Sequence, residues 1–162
     1  RQGMAEPCDH ELYVYGNDQK ELDLLVSYLD EKKDEELIES LQCGNHYIIF
    51  RGFEEGYENE AVFDYQTRYS PDRDSIQKLS KTFPELVFVD TYDSFHDRSI
   101  GCFVYQNEKL LYEEHKEYPG KFEDEDDVFS LWWEFAQTEK AEDLIEKARD
   151  VVVRPLFQDL DI

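Results

Sequence analysis

The sequence predicts a single α+β domain in which helices pack on an antiparallel sheet. Three observations predict it: some short stretches alternate apolar and polar residues at a period of two, others repeat apolar residues at i, i+3 and i+4, and the two kinds interleave along 162 residues. Hydrophobic residues make up 40% of the chain and aromatics 15%. That content builds a core, which a disordered acidic tail lacks.

Glu11–Tyr15 reads as a first strand closed by the turn signal Gly16-Asn17. Leu22, Leu25, Val26 and Leu29 then fall on one helical face. Asp18 with Glu21 resembles a capping box, and Asn17 is the alternative cap. Leu37, Ile38 and Leu41 make a shorter helical piece that Gly44 ends. Tyr47–Phe50 is a continuous apolar run, as expected of a strand covered on both faces.

After the acidic turn Glu54-Glu55-Gly56, the residues Ala61, Phe63, Tyr65, Thr67 and Tyr69 alternate with Val62, Asp64, Gln66 and Arg68, marking a strand with one wet face. Ser70-Pro71-Asp72 offers a capping hydroxyl, a proline at the first helical position and an acid in the first turn. Ile76, Leu79 and Phe83 form that helix's stripe, Pro84 ends it, and Leu86–Tyr92 is the next strand. Ile100–Tyr105 and Lys109–Tyr112 read as a hairpin around Gln106-Asn107-Glu108.

A long helical stretch follows. Val128, Leu131, Trp132 and Phe135 share one face, with Phe129 and Trp133 widening it, and Ala141, Leu144, Ile145 and Ala148 continue past a break near Thr138. Adjacent Trp side chains point about 100° apart on a helix, so one of the two is expected at an edge, where Trp anchors interfaces. Val151–Val153 before Pro155 reads as a short edge strand.

The order through Tyr92 is βαββαβ, the pattern of a ferredoxin-like sandwich with helices on one face of an antiparallel sheet. Residues 1–10 are expected to be a tail, 11–93 the ferredoxin-like core, and 94–162 an added C-terminal hairpin and helix. Arg1-Gln2-Gly3 precede Met4, which reads as the natural start.

Two stretches carry a resemblance: Phe63-Asp64-Tyr65-Gln66-Thr67-Arg68-Tyr69-Ser70-Pro71, and Leu79-Ser80-Lys81-Thr82-Phe83-Pro84-Glu85-Leu86. With the hairpin around Gly101, residues 45–114 resemble the YubB-type ferredoxin-like family of plasmid and phage proteins. Tyr69 stands where many of those relatives carry Trp. The resemblance implies the fold and a mobile-element setting, and it implies no catalytic residues.

The balance of 40 acidic to 17 basic residues gives a net charge of −23. That charge repels phosphate, so direct binding to nucleic acid or to an anionic membrane is disfavoured. The sequence shows no apolar run of membrane-spanning length and no leader pattern. Cys8, Cys43 and Cys102 are odd in number and widely spaced, which points to reduced, structural thiols in the cytoplasm.

No catalytic residue stands out. His10, His46, His96 and His115 lie in four separate elements, and Cys8-Asp9-His10 reads as part of a loose terminus. Asp90, Asp93, His96 and Asp97 gather metal-compatible ligands at a strand end, but their spacing matches no metal motif, so neither metal nor cofactor is expected.

Acid concentrates at Asp30, Glu31, Asp34, Glu35 and Glu36; at Glu54, Glu55, Glu58 and Glu60; and at Glu113, Glu114, Glu117, Glu123, Asp124, Glu125, Asp126 and Asp127. A charge magnitude of about 2–8 suffices for solubility of a small domain. The excess is best explained by a basic protein partner, since opposite charge speeds encounter and selects among partners. The third cluster is the candidate partner-binding set. Spread over roughly 8,500 Å² of folded surface, the charge is several-fold sparser than on duplex DNA, which carries about one per 100 Å². Mimicry of DNA therefore requires the acids to collect on one side. The leading expectation is a phage- or plasmid-type inhibitor occupying the nucleic-acid-binding surface of a host defence protein. The alternatives are an immunity-type module that neutralises a toxin and a small carboxylate/metal-dependent enzyme.

Overall fold

The computed structural model describes residues 6–32, 48–54, 59–118, 125–139 and 141–157. Six strands and the helices between them follow in order: β1 Pro7–Tyr15, α1 Gln19–Glu31, β2 Ile49–Glu54, β3 Glu60–Arg68, α2 Arg73–Thr82, β4 Val87–Ser94, β5 Ser99–Gln106, β6 Lys109–Glu117, α3 Glu125–Glu139 and α4 Ala141–Ala148. The sheet runs β2-β3-β1-β4-β5-β6 with every neighbouring pair antiparallel. The fold class is α+β, and two strands lie on the β4 edge beyond a four-stranded βαββαβ sheet.

Helices cover both faces of the sheet, a correction to the expectation of one. Leu22, Leu25 and Leu29 of α1 and Ile76 and Leu79 of α2 share a core with Leu12, Val14, Phe63, Phe88 and Phe103. On the opposite face, Trp132 and Ala136 of α3 and Leu144, Ile145 and Ala148 of α4 share a core with Val87, Val89, Ile100, Cys102 and Val104. The reason is legible in β4 and β5, which carry apolar residues at both parities and so must be dry on both sides. The C-terminal helices are the sheet's second cover.

Local rules account for most boundaries. Asp18 caps α1, its side chain accepting from the Lys20 N–H at 2.9 Å. The two-residue turn between β5 and β6 has positive φ at Asn107 (47°) and Glu108 (69°), the pattern of a type I′ turn. Helix α2 pins that turn: Gln77 Nε2 donates to the Glu108 carbonyl, and the Glu108 N–H donates to Ser80 Oγ, both at 2.9 Å.

Elsewhere tertiary context prevails. Strand β1 begins at Pro7, so residues 7–10 lie in the middle of the sheet and not in a tail. Helix α2 is capped by Asp72, which accepts from the Ser75 N–H, and not by Ser70, whose hydroxyl donates to Asp97 at 2.7 Å. Strand β2 is a sheet edge with Ile49, Phe50 and Phe53 exposed, not a strand covered on both faces. Its register shifts between Phe50 and Gly52, where Gly52 takes a φ of 150° that side chains resist. Val151–Val153 lie in a π-helical turn, Arg149–Val153, that continues α4. Pro155 lacks an N–H and crowds the preceding turn, which widens the helix instead of opening a strand. Leu37–Leu41 lie outside the described residues.

One buried ion pair fastens the α4 layer to the sheet. Arg149 donates to Glu60 Oε2 at 2.8 Å, to the Tyr15 hydroxyl at 2.7 Å and to Glu146 at 3.1 Å. The Glu60 side chain is wholly buried. Arg149→Met leaves that carboxylate buried and unpaired, at a cost of about 3–5 kcal/mol. Lys147→Met, which breaks the half-exposed pair with Glu114, is expected to cost less than about 1 kcal/mol. Urea midpoints of the two variants check the contrast.

Candidate functional site

Two places gather chemistry: a buried polar centre under α1 and α2, and the acidic surface around α3.

The buried centre comes from alternation on three neighbouring strands. Cys8 and His10 of β1, Tyr65 and Thr67 of β3, and Asp90 and Tyr92 of β4 share one face, because His10 stands opposite Tyr65 and Tyr92 in register. His10 Nδ1 meets Asp90 Oδ1 at 2.7 Å, and His10 Nε2 meets Thr67 Oγ1 at 2.8 Å. The Tyr65 ring stacks on His10 at 4.2 Å, and its hydroxyl donates to Asp90 Oδ2. Beyond it, Tyr92 pairs with His115 Nδ1 at 2.9 Å. Gly101 makes room for Tyr92, since a Cβ there would lie 2.3 Å from the tyrosine hydroxyl.

Thr67, His10 and Asp90 stand in the order hydroxyl, imidazole, carboxylate that nucleophilic catalysis uses. The hydrogen-bond inventory gives them another role. Thr67 Oγ1 donates its only proton to the Ser70 carbonyl at 2.8 Å, so His10 Nε2 donates to Thr67. The ring nitrogen that faces the hydroxyl therefore carries a proton and has no lone pair with which to activate it. His10, Thr67 and Asp90 are all buried. The arrangement is a satisfied hydrogen-bonded His–Asp pair inside the sheet.

Of the four metal-compatible residues read from the sequence, Asp90 and Asp93 point to opposite faces of β4. His96 lies 3.4 Å from Glu6, and Asp97 accepts from Ser70. Among the described residues no group of three or more His, Cys, Asp or Glu is placed to hold a metal ion. No helix there is long and apolar enough to cross a membrane. Cys8 and Cys102 are free, and burial pushes both thiols up.

The candidate partner-binding residues divide. Glu113 and Glu117 lie on the α2 face of β6, where Glu113 pairs with Arg73 at 2.8 Å and Glu117 lies 3.5 Å from His115. Glu114 lies on the other face, paired with Lys147 at 3.1 Å. Burial raises its pKa but its bonds to Lys147 and Tyr112 outweigh that, holding the carboxyl below its ordinary value. Glu123 and Asp124 fall outside the described residues. Glu125, Asp126 and Asp127 occupy the first turn of α3.

Charge differs sharply between the helices of the two layers. Helix α3 contains Glu125, Asp126, Asp127, Glu134 and Glu139 and neither Lys nor Arg, and α4 adds Glu142, Asp143 and Glu146 against Lys147. Helix α2 carries Arg73, Lys78 and Lys81 against Asp74. Helix α1, beside α2, carries Glu21, Asp23, Asp30 and Glu31 against Lys20, so the helices of the α1/α2 layer sum to a net charge of −1 and those of the α3/α4 layer to −7. There α3 also displays Phe129 (59% exposed) and Trp133 (55%), stacked at 6.2 Å and 14°, while Trp132 is buried at 3%. The expected division of the two Trp residues holds.

No family model, curated protein or solved structure matches the chain.

Two outcomes are expected for the buried centre. Asp90→Asn leaves only one carbonyl oxygen to meet both His10 and the Tyr65 hydroxyl, so a buried polar group loses its partner and stability falls by about 1–3 kcal/mol, read from the urea midpoint. Alkali acts in the same region. Burial raises Cys8, Cys102, Tyr65 and Tyr92, and it pushes Tyr13, beside Glu11, up to about 12. The unfolded chain gives up these protons from its ordinary values of 9.0 and 10.0, so above about pH 9 it binds fewer protons than the folded state. The stability these buried groups contribute is therefore fully present below that pH and is lost progressively above it. Urea midpoints against pH check this, and mapping of thiol modification should find Cys8 and Cys102 protected until the chain unfolds.

Proposed function

We propose that the protein is an acidic inhibitor of phage or plasmid type that binds the basic, nucleic-acid-binding surface of a host defence protein in the cytoplasm. The observation that carries this reading is the cation-free acid of α3, set on the opposite side of the sheet from cationic α2. The chain exposes 9669 Å², so −23 spread evenly is about a quarter of the charge density of duplex DNA. Along α3 the comparison changes. Its 15 residues span about 22 Å, so five carboxylates give one charge per about 4.5 Å, against one phosphate per 3.4 Å along a single DNA strand. That much acid on one helix, averaged along its length, steers a cationic groove toward it and competes with the groove's nucleic acid.

The mobile-element setting rests on the family resemblance of residues 63–71 and 79–86. The finer reading of the fold as a ferredoxin-like core extended by β5 and β6 is supported by the run β4-β1-β3-β2 within the sheet and by α1 and α2 sharing one face.

Immobilised protein incubated with host extract tests the reading. A basic, nucleic-acid-binding protein should be retained at low salt, released as salt rises, and displaced by duplex DNA or RNA. A partner held at high salt and indifferent to nucleic acid would overturn it in favour of an immunity-type module.

A further inference from the structure

Helix α3 is an unusual cover for a sheet. Its inward side carries Trp132 and Ala136 into the core, and Phe135 packs beside them. Its two flanks leave three large apolar side chains in water: Phe129 and Trp133 on one, and Leu131, 42% exposed, on the other. Phe129 and Trp133, one turn apart, form a near-parallel aromatic pair whose base rests on Phe95, 5.6 Å from Phe129. Exposed aromatics of this size, held in one geometry, are what interface anchors are made of.

The charge around the pair decides what covers it. A second copy of this chain would bring one cation-free α3 against another, and like charges across an interface cost several kcal/mol. Anionic lipid and nucleic acid are repelled for the same reason. A cationic segment is attracted to the acids and also to the ring faces, because arginine stacks on aromatic rings. The chain already uses that contact next door: the Arg98 guanidinium sits 3.8 Å from the Phe95 ring centroid, in the same aromatic cluster.

We infer that the exposed Phe129/Trp133 flank of α3, with these two rings as anchors and Glu134 beside them on a helix that carries no cation, is the docking site for an arginine-bearing segment of the partner. This rests on the proposed function and deepens it. An arginine side chain stacks on the aromatic pair while its neighbours meet the carboxylates. The aromatic contact persists when salt weakens the ionic one.

The test uses an oligo-arginine peptide, an oligo-lysine peptide and the full chain, followed by NMR. Oligo-arginine should shift the Trp133 indole N–H and the α3 amides before those of α1 or β6, and more strongly than oligo-lysine does. The Phe129→Ala/Trp133→Ala double variant should lose at least about tenfold in affinity, with Trp133→Phe losing less. Glu113→Gln and Glu117→Gln on β6 should leave affinity within about twofold. Because the shift mapping is done on the unaltered chain, it decides the matter even if the double variant misfolds. Salt-sensitive binding that maps elsewhere, or that the double variant keeps, overturns the α3 assignment and leaves the proposed function standing. Absence of salt-sensitive binding overturns both. A dimer of the unaltered chain in sedimentation, abolished by Trp133→Ala, would show that a second copy covers this face.

Discussion

Strand β4 sits between β1 and β5 and under helices on both sides, so any polar group on it must find its partner inside the protein. Asp90 is that group, and the rest of the centre follows from it. A carboxylate buried in a sheet is tolerable when it is paired and hydrogen-bonded. His10 on one neighbouring strand and Tyr65 on the next supply the partners, and Thr67 occupies the second nitrogen of the imidazole. The arrangement also fixes register. A slip of one residue in β1 would turn His10 toward α3 and α4 and take the imidazole away from Asp90. Glu60 and Arg149 do the equivalent work on the other face, tying the π-helical turn to β3 and β1. Both pairs are costly to break and worth little as net stability, so their value lies in specifying one packing over others.

The same economy governs the surface. With 17 cations for 40 acids, the protein cannot neutralise itself, and where the cations go is informative. Arg51 bridges Glu11 and Asp64 across β1, β2 and β3; Arg73 joins α2 to β6; Lys147 joins α4 to β6; Arg149 joins the π-helical turn to β1 and β3. These pairs stitch elements together. No cation is built into α3, so self-repulsion is retained on the helix that also displays aromatic rings.

How far the sequence was legible depended on the range of the forces involved. The α1 stripe and its Asp18 cap were readable because a cap acts within three residues. The Trp132–Trp133 division was readable because adjacent helical side chains diverge by geometry alone. The Ser70 cap failed because its hydroxyl is claimed by Asp97, 27 residues away. The apolar run at Ile49 and Phe50 failed because edge and centre strands share a composition, and only the topology separates them. The polar centre spans contacts of 57 and 80 residues, which no local pattern reports. Its signal was present in weaker form: Asp90 interrupts an apolar strand, and His10 falls in phase with Cys8, Leu12 and Val14 on a face that is otherwise core.

Acid and aromatic surface on one helix also answer each other's liabilities. Exposed Phe and Trp invite self-association, and a patch of that kind needs either a partner or a deterrent. Carboxylates in the same helix supply the deterrent against identical chains, because the repulsion is strongest where two copies of α3 would meet. Toward a cationic surface the sign reverses, and the same charges become long-range guidance that brings the rings within stacking distance. Charge alone would bind any basic protein weakly and lose it with salt, and rings alone would bind any greasy surface. On the proposed reading, together they select a partner that is cationic and shaped to stack, a narrower class than either feature selects alone.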